Sequence, residues 1–394
     1  MKLFLTVVAG TFGASASLCA HPLQAEPVNH PYVFTFDQFH LEADAEEHLR
    51  EGGLLLMAEL RCAACHEAPA AWREMLHPAP GPDLSGVGSR LDADTLWLMV
   101  RSPALRKRGT QMPALFTNAE GDAEKVEALV AYLQTLKQPV APMPQGDAGR
   151  GRELYHRVGC VACHEPAADA RPPGWPADME VESPGNASSP IALADAYDLH
   201  SLGRFLLDPL KDRPSGRMPA SRLTEQEAAD IAAYLHVGRA VETAPQRALL
   251  QVPPQTADLG REVFQAQRCN ACHQRKEESA PVTAALPMAK LQLTTATSCL
   301  AESPEPGAPR FGFNALQLRA MTLALQHVQL GSPPEATPAR RIDWTLSRLN
   351  CYACHDREHK GGPEDPRAAW FPRDAAAAAQ GEAARFPPTL DGVG

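Results

Sequence analysis

The stretch R-C-A-A-C-H-E, from Arg61 to Glu67, holds two cysteines and a histidine within five consecutive positions. The same C-x-x-C-H spacing returns three more times along the chain, beginning at Cys160, Cys269 and Cys351. Zinc ribbons need cysteine pairs close enough to share one ion and do not require a histidine after each pair. A redox dithiol needs a single motif on a turn between a strand and a helix. The repeat therefore favours a chemistry that uses both thiols and the histidine of every motif.

Covalent attachment of haem c uses all three side chains. The two thiols bond to the vinyl groups on one edge of the porphyrin, and the histidine after the second cysteine is placed to ligate the iron. The sequence therefore predicts four covalent haem c groups. The predicted attachment residues are Cys62, Cys65, Cys160, Cys163, Cys269, Cys272, Cys351 and Cys354. The predicted iron ligands from the motifs are His66, His164, His273 and His355.

The first residues predict export from the cytoplasm. Lys2 precedes an apolar run that turns into small residues, which is typical of a secretory signal peptide and which we assign to residues 1–25. Ala16, Ala20 and Ala25 are alternative last residues of that signal. No later stretch is long and apolar enough to span a bilayer. We therefore expect a mature chain without a membrane span, periplasmic or otherwise exported, where haem c is attached.

Charge and cysteine count narrow the function classes. A formal net charge of −10 argues against nucleic acid partners, which require basic patches. The acidic balance indicates either plain solubility or steering toward redox protein partners with basic docking surfaces. Of ten cysteines, eight belong to the motifs and Cys19 to the predicted signal, so Cys299 has no cysteine left to pair with. We expect no disulfide within the chain.

Proline-rich segments divide the chain into four expected modules. These segments, which interrupt helices, are residues 137–147, 241–258 and 331–340. The expected modules are residues 40–138, 146–240, 257–330 and 341–394. A helical pattern precedes each motif, and a capping box at Thr224 and Glu227 predicts the start of a second helix with Ile231 and Leu235 facing inward. No alternating strand pattern competes, so the expected fold class is all-α, with long loops around the cofactors.

A helix, C-x-x-C-H, a long loop, a Met-Pro pair and a closing helix, in this order, resemble class I cytochrome c over nearly all of the chain after the predicted signal. In the first module the sequence G-P-D-L-S-G-V-G and a later Q-M-P carry the resemblance. It implies that the carbonyl of Pro82 accepts a hydrogen bond from the ring of His66, and that Met112 is the sixth ligand of the first iron. In the second module it implies that Met218, followed by proline, is the sixth ligand. Met179 lies among turn-forming residues and is the weaker candidate there.

The third module departs from this pattern. An ungapped alignment of its closing helix with that of the second module places Ala308-Pro309 where Met218-Pro219 stands, so the proline is present and the sulfur is absent. Four residues remain as alternative ligands of the third iron: Met288, Cys299, Met321 and His327. Met321 also fits a core position and His327 a surface position, and an open or water-ligated iron is the further alternative.

The fourth module is incomplete. Its P-P-T-L-D-G-V-G at residues 387–394 parallels residues 81–88, and in the first module Met112 comes well after that point. The sequence ends before a sixth ligand and a closing helix, so we expect either a fragment or a longer protein. His359, close after His355, is a candidate for the vacant sixth position.

Histidine and methionine coordination saturates the iron and raises its reduction potential, which suits electron transfer. The sequence therefore predicts a periplasmic multihaem c-type cytochrome that carries electrons between redox partners, an electron carrier rather than a catalyst. Three alternatives stay open: the electron-entry portion of a larger dehydrogenase or haem enzyme, a peroxide-type reductase at the third haem, and a haem-based ligand sensor. No nucleotide, flavin or quinone site is predicted, and no residue is assigned as catalytic.

Overall fold

The computed structural model describes residues 30–41, 45–116, 119–167, 170–171, 197–237, 254–273, 286–291, 299–301, 308–363, 365–370 and 387–392. These residues are mostly helical, which confirms the predicted all-α class. No helix in this part of the chain combines the length and the apolar character that crossing a membrane requires.

Ten helices of six or more residues position the four motifs in the described part of the chain. They are α1 (Phe34–Phe39), α2 (Glu46–Glu59), α3 (Ala93–Arg101), α4 (Asp122–Thr135), α5 (Ala148–Arg157), α6 (Leu199–Leu207), α7 (Glu225–His236), α8 (Pro254–Ala266), α9 (Ala315–Leu330) and α10 (Pro338–Arg348). Shorter helical turns are Cys62–Cys65, Ala70–Trp72, Val87–Arg90, Pro103–Arg106, Cys160–Ala162, Pro209–Asp212, Cys269–Ala271, Met288–Lys290, Cys351–Ala353 and Asp365–Ala368. One antiparallel hairpin, β1 (Asp356–Arg357) and β2 (Lys360–Gly361), pairs Asp356 with Gly361 and Arg357 with Lys360.

Side-chain caps set the starts of the closing helices. Thr224 and Glu227 form the capping box that the sequence predicts, each side chain bonding the backbone N–H of the other, so α7 begins as expected. Asn314 and Gln317 form an equivalent box at the start of α9. The boxes satisfy backbone donors that would otherwise have no partner in the first helical turn.

Three helix pairs cross over a glycine. Gly53 in α2, Gly151 in α5 and Gly260 in α8 each stand nine residues before the first cysteine of a motif. A Cβ at any of these positions would collide with a backbone carbonyl oxygen of the partner helix, at Ala320, Asp230 and Ala128 respectively. Only glycine permits backbones to approach this closely. In the fourth motif the same position holds Ile342, which is half-buried.

The helix pairs do not follow the order of the sequence. α5 packs on α7 within the second expected module, but α2 packs on α9 and α8 packs on α4. The helices before the first and third motifs, α2 and α8, therefore exchange their closing helices. The order of the motifs predicts instead that α2 packs on α4 and α8 on α9. Both α2 and α8 carry the glycine at the same position, so the sequence pattern fits either partner.

We name four units by their motif histidine. The His66 unit comprises residues 45–66, 286–291 and 308–330, and the His273 unit comprises 254–273 and 81–135. The His164 unit comprises 148–164 and 197–237, and the His355 unit comprises 338–370 and 387–392.

Each of the first three units has its own apolar core. Leu56 of α2 and Ala324 of α9 lie in one cluster, and Leu129 of α4 lies with Phe264 of α8 in a second. Ile231 lies in the third, which packs α5 on α7, and Ile231 and Leu235 are both buried as predicted. Burial of one such leucine or isoleucine stabilises the fold by about 2 kcal/mol.

In the His355 unit, α10 packs against α1, which lies before the first expected module. Thr35 Oγ1 donates a hydrogen bond to the carbonyl of Ser347 at 3.0 Å, and both residues are buried. The ring of Phe39 meets the edge of Tyr352 at 6.0 Å between centroids. Lys360 Nζ lies 2.9 Å from Asp343 of α10 and holds the hairpin against this helix.

The close approach of the two helices at Gly151 predicts that alanine at this position lowers the free energy of unfolding. Alanine normally replaces a helical glycine with a gain in stability of up to about 1 kcal/mol. Gly151→Ala should instead lower the free energy of unfolding by about 2 kcal/mol, because its Cβ collides with the backbone at Asp230. Gly149→Ala on the same helix is the control and should stay within about 1 kcal/mol of the wild type. Chemical denaturation followed by circular dichroism checks this, and equal effects at both positions would contradict the tight crossing.

A buried histidine predicts acid sensitivity. His40 packs on Gly52, and its Nδ1 donates to the carbonyl of His48 at 2.9 Å. Burial, and after it the neighbouring His48, lowers the pKa of His40 to about 4. The unfolded imidazole gains a proton near pH 6.5. The folded imidazole gains one only near pH 4, so stability is full above pH 6.5 and is lost as the pH falls toward 4.

At about 1.4 kcal/mol per pKa unit, the loss should approach about 3 kcal/mol, and His40→Gln should remove most of this pH dependence. His77→Gln, at an exposed position, should leave it unchanged. Unfolding curves between pH 7 and 4 measure the difference, and identical pH profiles for wild type and His40→Gln would exclude His40 as the cause.

Candidate haem-binding sites

All four motifs adopt the same local turn. The residue before the first cysteine has a positive φ: 64° at Arg61, 91° at Gly159, 55° at Arg268 and 58° at Asn350. The motif then makes a single helical turn, and the backbone N–H of its histidine donates to the carbonyl of its first cysteine at 2.8 to 2.9 Å. A positive φ at the non-glycine residues costs on the order of 1 kcal/mol, so the turn is held by its surroundings. It keeps the two thiols and the imidazole of each motif together.

The motif cysteines are available for bonds to a cofactor. None of the cysteines in the described part of the chain forms a disulfide, and all eight of the motif are partly exposed. Burial raises the pKa of Cys160 and of Cys269 to about 12, so these thiols are neutral at physiological pH. Reduced thiols beside an imidazole are the groups that thioether attachment of haem requires, so the residues fit the cofactor.

The motif histidines are oriented by backbone carbonyls. Nδ1 of His66 lies 2.7 Å from the carbonyl of Leu286, and Nδ1 of His355 lies 2.8 Å from that of Pro388. Because a carbonyl only accepts, Nδ1 carries the hydrogen and Nε2 keeps the lone pair that can ligate iron. Such contacts fix the ring of a metal-binding histidine. The contact at Pro388 agrees with the sequence parallel between residues 387–394 and 81–88.

The expected contact between Pro82 and His66 is wrong. The carbonyl of Pro82 accepts from Nδ1 of His273 at 3.0 Å, and Leu286 takes the corresponding place at His66. The neighbouring N–H of Gly81 donates to the carbonyl of Cys272 at 2.8 Å, and a Cβ at Gly81 would lie 2.5 Å from that oxygen. Gly81 and Pro82, which follow the first motif in sequence, therefore lie against the histidine of the third motif, the side that we call proximal.

The two predicted methionine ligands lie on loops that belong to different units. Met218 packs against the core of the His164 unit, as Cys160 does. Leu115 and Phe116, directly after the Met112-Pro113 pair, pack in the same cluster as Cys269. The loop of Met112 is therefore part of the His273 unit. Met179 lies outside the described residues.

The candidates for the missing ligand of the third iron lie elsewhere. Met288 is fully buried and Met321 is 4% exposed, both in the core of the His66 unit, which confirms the core interpretation of Met321. His327 packs its ring against the edge of Trp72 at 5.1 Å. Cys299 lies close enough to Cys62 to contribute, after burial, to the raised pKa of that thiol. None of the four therefore lies in the His273 unit.

His359, the candidate sixth ligand of the fourth iron, stands at the tip of the β1–β2 hairpin. It is exposed and has a φ of 66°. In this position its ring faces solvent, as expected for a histidine in a glycine-rich turn.

A cationic cluster, which no motif in the sequence had revealed, lies where the units meet. Glu59 of α2 is 2% exposed, and its carboxylate accepts from Arg217 Nε at 2.6 Å and from Arg348 Nε at 3.1 Å. Arg61 donates to the carbonyls of Ala79 and Pro80. Its guanidinium lies near Lys107.

Burial, followed by the charges of Arg213, Arg217 and Arg61, lowers the pKa of Lys107 to about 7. This cationic cluster, Arg61, Lys107, Arg213, Arg217 and Arg348, has Glu59 as its buried carboxylate. Its excess of positive charge fits anionic groups such as the propionates of haem. No group of three or more His, Cys, Asp or Glu side chains in the described residues is arranged to hold a bare metal ion.

Comparison with known proteins adds one family. Residues 148–237 match the family model of cytochrome c. The match runs from the start of α5 to the end of α7 and includes the motif at Cys160, so this stretch is similar to cytochrome c, a family for which covalent haem c is implied. No curated protein and no solved structure matches the chain.

The buried carboxylate generates a stability prediction. Glu59→Gln should lower the free energy of unfolding by about 3 kcal/mol, because it leaves Arg217 and Arg348 partly buried without a counter-charge. Glu51→Gln removes an exposed pair with Arg340 and should cost at most about 1 kcal/mol. Denaturant titration of both variants checks this, and a Glu59 effect no larger than that of Glu51 would show that the cluster does not depend on its carboxylate.

Proposed function

We propose that the chain is an exported, periplasmic multihaem c-type cytochrome that holds four haem c groups and carries electrons between redox partners. The match of residues 148–237 to the family model of cytochrome c is the observation that supports this function most directly. The same turn, with its positive φ and its histidine-to-cysteine hydrogen bond, recurs at the other three motifs, and this recurrence supports the count of four.

The chain's own residues prepare each site for electron transfer. Bound haem supplies a metal centre that gains and loses one electron. Carbonyls at Leu286, Pro82 and Pro388 hold the imidazoles in the tautomer that offers Nε2. Met218 and Cys160 both pack against the apolar core of the second site. A saturated coordination sphere transfers electrons without admitting a substrate to the metal.

The motifs lie in two close pairs, which supports transfer from haem to haem. One short segment connects the first and third motifs. Arg61, directly before the first motif, donates to the carbonyl of Ala79, and the N–H of Gly81 in the same segment donates to the carbonyl of Cys272 in the third motif. Arg367 of the His355 unit donates to the carbonyl of Val161 within the second motif at 2.9 Å. Short separations between cofactors are what a chain of carriers needs.

The two pairs are also connected. Arg90 and Asp212 form a partly buried ion pair at 3.0 Å, and the N–H of Asp83 donates to the carbonyl of Asp212 at 2.9 Å. These contacts join the His273 unit to the His164 unit. We propose that electrons pass between neighbouring units in the order His66, His273, His164 and His355. We also propose that the acidic chain, with a net charge of −10, docks with basic redox proteins rather than nucleic acids.

A second candidate function rests on Ala308, which stands where the second module has a methionine. An iron without a sixth protein ligand would bind a small molecule such as a peroxide, and the remaining haems would supply electrons. The function would then be a small-ligand reductase or sensor, or the electron-entry portion of a larger haem enzyme or dehydrogenase.

Haem count and ligand identity test the proposed function. After maturation in a host that attaches haem c, intact mass should show four haem additions and loss of the signal. Met218→Ala should remove one methionine-to-iron absorption band and lower the potential of one haem, because the thioether favours ferrous iron. Met179→Ala should change neither. Fewer than four haems on the intact motifs, or equal effects at Met179 and Met218, would contradict the proposal.

A further inference from the structure

We propose that Met112 ligates the iron held by His273, the third motif, and that the iron held by His66, the first motif, has no methionine ligand. This inference rests on the proposed haem attachment and goes beyond it, because it exchanges the sixth ligands that the order of the sequence implies.

The pairing of the helices assigns each candidate ligand loop to one motif. A closing helix comes after each candidate ligand loop, so the helix on which it packs shows which motif that loop covers. Met112 is followed by α4, and α4 packs on α8, the helix that precedes Cys269. Ala308 is followed by α9, and α9 packs on α2, the helix that precedes Cys62. In the His164 unit, where Met218 and α7 lie in one continuous stretch, the same rule assigns the ligand to its own motif.

Contacts of the loops themselves are the second argument. The two loops lie side by side, because Ala114 and Arg310 exchange two backbone hydrogen bonds of 2.9 Å. The residues directly after each loop pack in different units. Leu115 after Met112 packs against the same core cluster as Cys269. Phe311 and Phe313 after Ala308 pack in the cluster that contains Cys62.

The proximal side gives a third and independent argument. The stretch that begins at Gly81 and continues to Met112 bonds Cys272 and His273 through Gly81 and Pro82. His66 is bonded instead by Leu286, which begins the stretch that continues to Ala308. Both faces of each site are therefore built by one continuous stretch, and the two stretches are exchanged.

The three methionines of the His66 unit, Met57, Met288 and Met321, all lie buried in its apolar core, so none of them replaces Met112. Between Leu286 and Leu330 the sequence contains two methionines, Met288 and Met321. Gln329 Nε2 donates to the carbonyl of Met288 at 3.0 Å and fixes this residue in the apolar core on the proximal side, beside Glu67. Met321 lies in the middle of α9 in the same core. The haem of His66 should therefore have the lower potential of this pair or bind an added ligand.

Attachment knock-outs in the full-length chain test the assignment. In the wild type we expect two methionine-to-iron bands per chain, from Met112 and Met218. Cys269→Ala with Cys272→Ala should reduce this number to one, and adding Met112→Ala should then change nothing. In the matched variant Cys62→Ala with Cys65→Ala, two bands should remain, and adding Met112→Ala should remove one. The opposite pattern would place Met112 on the haem of His66 and overturn the inference.

A second measurement keeps all four haems in place, in case the knock-outs do not fold. Carbon-13 labelling of methionine methyl groups gives reporters in each unit: Met57, Met288 and Met321 in the His66 unit and Met99 on α3 in the His273 unit. Met112→Ala changes the spin state of the iron that loses the thioether, so the oxidised protein should show the larger shift at Met99. The larger shift at Met288 and Met57 would contradict the inference.

The two proposals fail in different ways. A mass below four haems on the wild-type chain contradicts the proposed function and its count of cofactors. Four haems, with Met112 as a ligand of the iron held by His66, would contradict only the proposed exchange of ligands.

Discussion

The approach of two helices over a single glycine is the contact on which the rest of this structure depends. A Cβ at Gly53, Gly151 or Gly260 would collide with the backbone of the closing helix, so each of these residues sets how near that helix lies. The closing helix in turn follows the loop that holds the proposed sixth ligand, and residues directly after that loop pack in the same core as the motif. In the proposed arrangement, the helix that packs on each glycine therefore determines which candidate ligand belongs to which motif.

The exchange of partners makes the first and third stretches of the chain interdependent. Neither α2 nor α8 packs on the closing helix of its own expected module, so residues 81–135 and 308–330 each complete a motif that lies far away in sequence. The cluster around Glu59 adds a second connection, because this carboxylate joins α2 to the loop of Met218 and to α10. We therefore expect the units to unfold together rather than as four independent domains.

Much of the site could be predicted from the sequence because its chemistry is local. The structure confirms the capping box at Thr224 and the core position of Met321, and it gives the four C-x-x-C-H motifs one shared local turn. The choice of partner helix is not local, since α2 and α8 carry the same glycine and each glycine meets the carbonyl of an alanine, Ala320 in α9 and Ala128 in α4. The contact of Pro82 with His273 depends on that choice, and a sequence that is read in order assigns it to His66. The glycine nine residues before each of three motifs was a signal of the crossing, and Ile342 marks the fourth as different.

Hydrogen exchange of two matched glycine variants tests the exchanged pairing most directly. If α8 packs on α4, Gly260→Ala should speed amide exchange in residues 122–135 and leave residues 315–330 protected, and Gly53→Ala should do the reverse. Faster exchange in 315–330 on changing Gly260, with 122–135 still protected, would show that each stretch closes on its own helix and would contradict the account.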